Sequence, residues 1–109
     1  MSNQKPRIWI SNATPENGEI VRVRAVVVHR METGLRLNHE GETINRNIIN
    51  KFTASFNDQL LFEWIPETAI AQNPFIEFTF VAKNSGTLVM HWEDDEKQTI
   101  IGETAITVN

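Results

Sequence analysis

The chain has 109 residues, a length typical of one domain, and 40% of them are hydrophobic, which is enough to form a core. Its formal net charge of -4 gives no basic footprint for a phosphate backbone, so no nucleic acid is expected as a partner. The absence of cysteine excludes disulfides, thiolate metal sites and thiol catalysis by this chain. No apolar run approaches the ~20 residues of a membrane span, so we expect no membrane partner. From the length we expect one folded domain over residues 1–109.

The first half of the chain predicts two strands followed by a long polar segment. Arg7 to Ile10 is the first predicted strand and Glu19 to His29 is the second. Within the second, alternate apolar residues face one way while Arg22 and Arg24 face the other. Met31 to Arg46 is too polar for an ordinary strand pair, so we predict a long loop or a loose hairpin there.

The second half of the chain predicts five further strands, because runs of period-two alternation are separated there by turn residues. The predicted strands are Ile48 to Asn57, Leu60 to Ile65, Phe75 to Ala82, Thr87 to Asp94 and Gln98 to Val108. Between the second and third of these, Pro66 to Gln72 is compatible with one helical turn, which Asn73-Pro74 would end.

About seven short strands in this length indicate an all-β fold, namely an immunoglobulin-like antiparallel β-sandwich. The chain has neither the cysteine pair nor the tyrosine corner of many such domains, so the class is predicted and the topology is not. The predicted core is formed by the inward rows of four strands: Phe52, Ala54 and Phe56; Leu60, Phe62 and Trp64; Ile76, Phe78 and Phe80; Leu88, Met90 and Trp92.

No catalytic, metal-binding or cofactor-binding residues are predicted. His29, His39 and His91 match no ligand spacing, and we interpret them as ordinary surface or strand-end histidines. The acidic run Glu93 to Glu96 is interpreted as a solvated hairpin turn. No Ser/His/Asp arrangement has the context of a nucleophile, and the glycines are isolated, so the chain is not expected to be an enzyme.

Four stretches of the sequence carry a resemblance to a known family. They are Lys5-Pro6-Arg7-Ile8, then His29-Arg30-Met31-Glu32-Thr33-Gly34-Leu35-Arg36, then Ile48-Ile49-Asn50-Lys51-Phe52, and finally Asn73-Pro74-Phe75 with Ser85-Gly86-Thr87 and Trp92-Glu93-Asp94-Asp95. With these stretches the chain resembles the SoxZ family, subunits of the SoxYZ carrier complex of thiosulfate oxidation. The second stretch is the most specific of the four.

The resemblance implies an immunoglobulin-like sandwich that binds and stabilises SoxY, in a heterodimer or a higher SoxYZ assembly. The flexible C-terminal Gly-Gly-Cys-Gly-Gly arm of SoxY carries the sulfur intermediates in that family, and SoxZ supplies no carrier cysteine and needs no cofactor. Other sulfur-oxidation enzymes are then indirect partners. Because Met1 to Pro6 lacks the pattern of a signal peptide, we expect periplasmic localisation by co-export with a signal-bearing SoxY.

Two other functions stay open at this point. One is a free-standing β-sandwich that binds a small molecule or another protein, and co-purification with a cysteine-bearing partner separates it from the SoxYZ function. The other is a metalloenzyme that uses the three histidines, which the metal content of the purified chain tests.

Some strands are apolar on both faces, although a two-layer sandwich buries only one face of each strand. We expect Leu61 and Ile65 to point outward, and Trp9, Val26 and Val28 show the same two-sided apolarity. Our hypothesis is that such residues form one contact patch for the partner, with the segment His29 to Arg36 at its rim. The candidate interface residues are therefore Trp9, Val26, Val28, His29, Met31, Glu32, Gly34, Arg36, Leu61 and Ile65. The alternative is that the long loop of the chain itself covers them.

Overall fold

The computed structural model describes residues 5–65 and 74–109, and these contain seven strands and no helix. The strands are β1 (Arg7–Ile10), β2 (Ile20–Val26), β3 (Ile49–Phe56), β4 (Gln59–Trp64), β5 (Phe75–Val81), β6 (Gly86–Asp94) and β7 (Thr99–Ile106). The predicted all-β class is confirmed. The helical turn predicted at Pro66 to Gln72 lies outside the described residues. Within the described residues, no helix is long and apolar enough to cross a membrane.

The strands form two sheets in which every pairing is antiparallel. The three-stranded sheet has the order β1-β2-β5, and the four-stranded sheet has the order β4-β3-β6-β7. Alternate side chains of each sheet point toward the other sheet, which is the pleated arrangement of a sandwich. The predicted immunoglobulin-like sandwich of about seven strands is therefore confirmed.

Aromatic rings join the two sheets at the centre of the core. Phe52 of β3 lies 4.8 Å from Trp92 of β6 between ring centroids, and 6.3 Å from Phe78 of β5 on the other sheet. Phe78 stacks on Phe62 of β4 with 5.6 Å between centroids. Contacts of this kind add about 0.5–1.5 kcal/mol each beyond burial. The inward rows predicted for β3, β5 and β6 are thus confirmed.

A glycine allows β1, an edge strand of the three-stranded sheet, to pack closely on β7, an edge strand of the four-stranded sheet. Gly102 of β7 is buried, and a Cβ there would lie 2.5 Å from Cγ of Pro6 and 2.7 Å from Cδ1 of Ile8. Because a side chain has no room, β1 packs directly over β7. This contact leaves Arg7 and Trp9 of β1 on the outside of the three-stranded sheet, since they alternate with Ile8 and the core-facing Ile10.

Two predictions about strands were wrong in detail. The second strand ends at Val26 rather than His29, because its partners Arg7 and Phe75 are the first residues of β1 and β5. Beyond them only a long hydrogen bond of 3.5 Å joins the N–H of Val27 to the carbonyl of Pro74. Leu60 was expected in the core but is 58% exposed.

A β-bulge explains the position of Leu60. Ala54 pairs with Phe62 while the adjacent Ser55 pairs with Leu60, so Leu61 is an extra residue in β4. The extra residue shifts the period-two alternation, which turns Leu60 to the outer face.

The segment predicted as a long loop or a loose hairpin is a loose hairpin. Glu32 and Asn47 exchange two backbone hydrogen bonds of 2.8 and 2.9 Å, and Arg36 accepts one of 2.8 Å from Ile44. At its tip the side chain of Asn38 accepts the N–H groups of Glu40 and Glu42, as Asx turns do. We call residues 31–47 the hairpin.

Candidate functional site

A buried aspartate fastens the base of the hairpin to the turn that follows β6. Asp94 is 2% exposed, and its Oδ1 accepts the backbone N–H groups of Glu96 and Gln98, both at 2.9 Å. Its Oδ2 lies 3.2 Å from Nε2 of His29, which is 65 residues away in the sequence. The carboxylate therefore stabilises the turn and positions the start of the hairpin at the same time.

The hydrogen bonds of His29 define its role. Nδ1 accepts the backbone N–H of Met31 at 3.0 Å, so this nitrogen carries no proton and the ring proton lies on Nε2, which donates to Asp94. Both ring nitrogens are hydrogen-bonded within the fold, so His29 fixes the start of the hairpin.

Met31 and Gly34 have left-handed backbone conformations that set the course of the chain at the start of the hairpin. Met31 is buried with a left-handed φ of 57°, and its Sδ accepts the N–H of Ile49 at 3.2 Å. Gly34 has a φ of 88°, and a Cβ on it would lie 3.3 Å from Cβ of Arg46. Glycine adopts this conformation without steric cost, and its missing side chain lets the two arms of the hairpin meet.

Two carboxylates near this base carry lowered pKa values. The hydrogen bond from Arg36 holds the pKa of Glu32 below its ordinary value, against the opposing effect of burial, and Arg30 adds to the lowering. Burial alone would raise the pKa of Asp95. Hydrogen bonds from Asn50, Arg46 and the backbone N–H of Ile48 outweigh that effect, so the pKa of Asp95 is lowered.

A cleft of about 310 Å³ opens beside the His29 and Asp94 pair. Its lining residues are Val28, His29, Arg30, Glu32, Asn47, Ile49, Asp94, Gln98 and Ile100. Both signs of charge and two amides line it, but the carboxylate of Asp94 and the ring of His29 are already hydrogen-bonded. Among residues 5–65 and 74–109, no group of three His, Cys, Asp or Glu side chains is suitable for a metal ion.

The structure places the predicted interface residues in three groups rather than in one patch. Val28, His29 and Glu32 line the cleft, with Met31 buried behind it and Gly34 and Arg36 farther along the hairpin. Trp9 and Val26 lie on the outer face of the three-stranded sheet. Leu61 and Ile65 lie at β4, an edge strand of the four-stranded sheet. The rim segment begins at His29, soon after the end of β2, whereas Leu61 belongs to the other sheet and Ile65 directly follows its strand β4.

The interpretation of the acidic run as a solvated turn was wrong for two of its members. Asp94 is buried, and Asp95 contacts Arg46, Asn50 and the backbone of Ile48. The sequence contains the signal for Asp94: the inward row Leu88, Met90 and Trp92 continues to position 94 with the same period of two. No pattern in the sequence indicates that Asp95 meets Asn50.

The sequence matches the family profile described as "Sulphur oxidation protein SoxZ" over residues 10–105. The chain belongs to the SoxZ family. Its membership supports a role in the Sox sulfur-oxidation system, and it confirms the resemblance found in the sequence. Comparison with curated protein sequences gave no significant match.

Several solved structures have the same fold at low identity. SoxY, the sulfur carrier protein from Chlorobium limicola f thiosulfatophilum, has a TM-score of 0.65 and 10% identity over 99% of this chain and 81% of that chain. Superoxide reductase (neelaredoxin) from Ignicoccus hospitalis has a TM-score of 0.71 and 18% identity over 96% and 80%. A putative superoxide reductase from Thermotoga maritima has a TM-score of 0.72 and 14% identity over 99% and 88%. These similarities show the fold that this SoxZ-family chain shares with SoxY.

Proposed function

We propose that this SoxZ-family chain is a non-catalytic subunit that binds and stabilises SoxY, so that the cysteine arm of SoxY is presented to the sulfur-handling enzymes. The observation that carries the proposal is the exposure of large apolar side chains outside the core. Trp9 is 49% exposed and Phe75 is 56% exposed, and they lie on β1 and β5, the two edge strands of the three-stranded sheet. Exposed aromatic side chains of this kind are typical of surfaces that another protein covers.

The chemistry of the described residues supports a binding role. The chain has no thiol to hold a sulfur intermediate. His29 and the buried Asp94 of the cleft satisfy each other and the backbone, so they serve the fold. In this proposal all covalent sulfur chemistry takes place on the partner, and the superoxide reductases contribute a likeness of fold alone.

Co-expression with affinity-tagged SoxY tests the proposal. The chain should elute with SoxY at a constant ratio, and SoxY should unfold at a higher temperature in the complex than alone, because binding to the native state stabilises it. SoxY that lacks its C-terminal arm is the matched control and should capture the chain equally well, since the arm is presented and not held. Elution of SoxY without the chain would refute the proposal, and loss of capture with the arm would show that the chain holds the arm.

We propose the periplasm as the compartment of the complex, reached by export together with a signal-bearing SoxY. This proposal follows from the proposed binding to SoxY. In cell fractionation, the 109-residue chain should move from the cytoplasm to the periplasm only when signal-bearing SoxY is co-expressed. Periplasmic accumulation of the chain expressed alone would contradict co-export.

A further inference from the structure

The outer face of the three-stranded sheet combines apolar and cationic side chains in register. One row across β1, β2 and β5 contains Trp9, Arg24 and Glu77, and the adjacent row contains Val26 beside Phe75. Side chains at partner positions of antiparallel strands share one face and lie next to each other. These rows therefore form a continuous surface and not a scatter of single residues.

The exposed apolar residues of this face include aromatic side chains, whereas those of the four-stranded sheet do not. Its large exposed side chains are Trp9, Ile20, Phe75 and Val81. The four-stranded sheet has Leu60, Leu61 and Ile101, with Ile65 just after β4, and all four are aliphatic. Because Trp, Phe and Arg are enriched where proteins bind one another, the composition favours the three-stranded sheet as the binding face.

The charge of the face indicates the chemistry of the occupant. Arg24 pairs with Glu77, but the side chains of Arg7 and Arg22 have no hydrogen bond or ion pair within the described part of the chain. The face thus has three guanidinium groups and one carboxylate, whereas the chain as a whole has a net charge of -4. An occupant that supplies carboxylates opposite the two unpaired arginines complements it.

A depression beside Trp9 gives this face a place for an inserted side chain. It has a volume of about 260 Å³ and lies among Trp9, Ile10, Ser11, Arg22 and Arg24. The indole wall and the free guanidinium of Arg22 suit a side chain with an apolar stem and a carboxylate end, as in glutamate.

We infer that the outer face of the three-stranded sheet is the docking surface for SoxY, centred on Trp9 and Arg22, and that it receives a carboxylate-bearing surface of SoxY. The inference rests on the proposed function and deepens it, because it assigns the surface. It selects Trp9 and Val26 from the predicted interface, adds Arg22 and Phe75, and leaves the edge strand β4 outside the contact.

Titration of purified SoxY with face variants tests the inference. Trp9→Ala and Arg22→Glu should each weaken binding by about tenfold or more, as loss of a central interface residue does. Binding by the wild-type chain should also weaken as salt is added, and Arg22→Glu should lessen that dependence. Ile101→Ala and Lys51→Glu on the four-stranded sheet are the matched controls and should bind SoxY within about twofold of the wild type. Circular dichroism confirms that each variant is folded.

The other outcomes are distinguishable. If the wild type binds SoxY and both face variants bind equally well, the docking surface is wrong while the proposed function stands. If Leu61→Asp or Ile65→Asp abolishes binding instead, the edge strand β4 is the surface. If the wild type alone forms a dimer that Trp9→Ala dissociates, the occupant is a second copy of this chain. If the wild type does not bind SoxY at all, both the inference and the proposed function fail.

Discussion

His29 donates a hydrogen bond to the buried carboxylate of Asp94, and this contact joins two segments 65 residues apart. Asp94 also accepts two backbone N–H groups of its own turn, while His29 accepts the N–H of Met31. The pair therefore links the turn after β6 to the first residues of the hairpin. Its contribution to the free energy of unfolding can be measured directly.

Replacing Asp94 with alanine should destabilise the fold. The change leaves the N–H groups of Glu96 and Gln98 and the ring of His29 without their acceptor. Loss of buried hydrogen bonds to a charged group predicts a decrease of about 3 kcal/mol in the free energy of unfolding. Urea denaturation of Asp94→Ala, with the exposed Glu96→Ala as control, measures it. A loss no larger than that of the control would contradict the account.

Alanine substitutions at the two positive-φ glycines of the hairpin allow the cost of backbone strain to be measured apart from the cost of steric contact. Gly41 has a φ of 80° with nothing within 4 Å of an added Cβ, whereas Gly34 has a φ of 88° and faces Arg46. Gly41→Ala should cost only the strain of the left-handed backbone, about 1 kcal/mol. Gly34→Ala should cost more in thermal unfolding, since the other arm must move as well. Equal costs for the two variants would argue against the close approach at Gly34.

Asp95 predicts a specific dependence of stability on pH. Its pKa lies below the ordinary value of 3.8 in the folded chain, so its contribution is present above that value and is lost as the pH falls through the folded pKa. At pH 7 we expect Asp95→Asn to be less stable than the wild type by about 1–2 kcal/mol. Unfolding free energies measured from pH 7 to pH 2 should converge. A difference that stays constant or grows at low pH would contradict the lowered pKa.

Sulfur transfer should leave this chain unmodified. A persulfide forms when a thiolate attacks a polysulfide and releases a shorter polysulfide, and the chain has no thiol. We expect its intact mass to be unchanged after incubation with polysulfide, and any adduct in a mixture with SoxY to appear on SoxY. A stable sulfur adduct on the isolated chain, seen by mass spectrometry, would contradict the division of labour.

Alternation was sufficient to predict most strands and their inward rows, because burial in a sandwich follows a period of two. Phe52, Phe78 and Trp92 were assigned to the core from that period alone, and all three are buried. The same reasoning failed at Leu60, because a β-bulge in β4 adds one residue and reverses the phase. A bulge depends on the pairing between strands, which a single strand sequence does not contain.

The candidate surface was predictable only in part. The outward direction of Trp9 follows from its own strand, but whether it shares a face with Leu61 depends on the order of strands in the sheets. The order separates the two residues and brings Trp9 next to Arg24 instead. Likewise, the contact between Asp94 and His29 is a tertiary contact that the sequence does not indicate, and the charge of the acidic run suggested a solvated turn.

The central claim is that this chain binds SoxY, and titration of the purified chain into purified SoxY tests it most directly. Calorimetry or native mass spectrometry should give a saturable complex at constant stoichiometry with a dissociation constant of about 1 μM or lower, equivalent to about -8 kcal/mol or stronger. Two species that stay separate, with no heat of binding at about 100 μM of each protein, would contradict the claim.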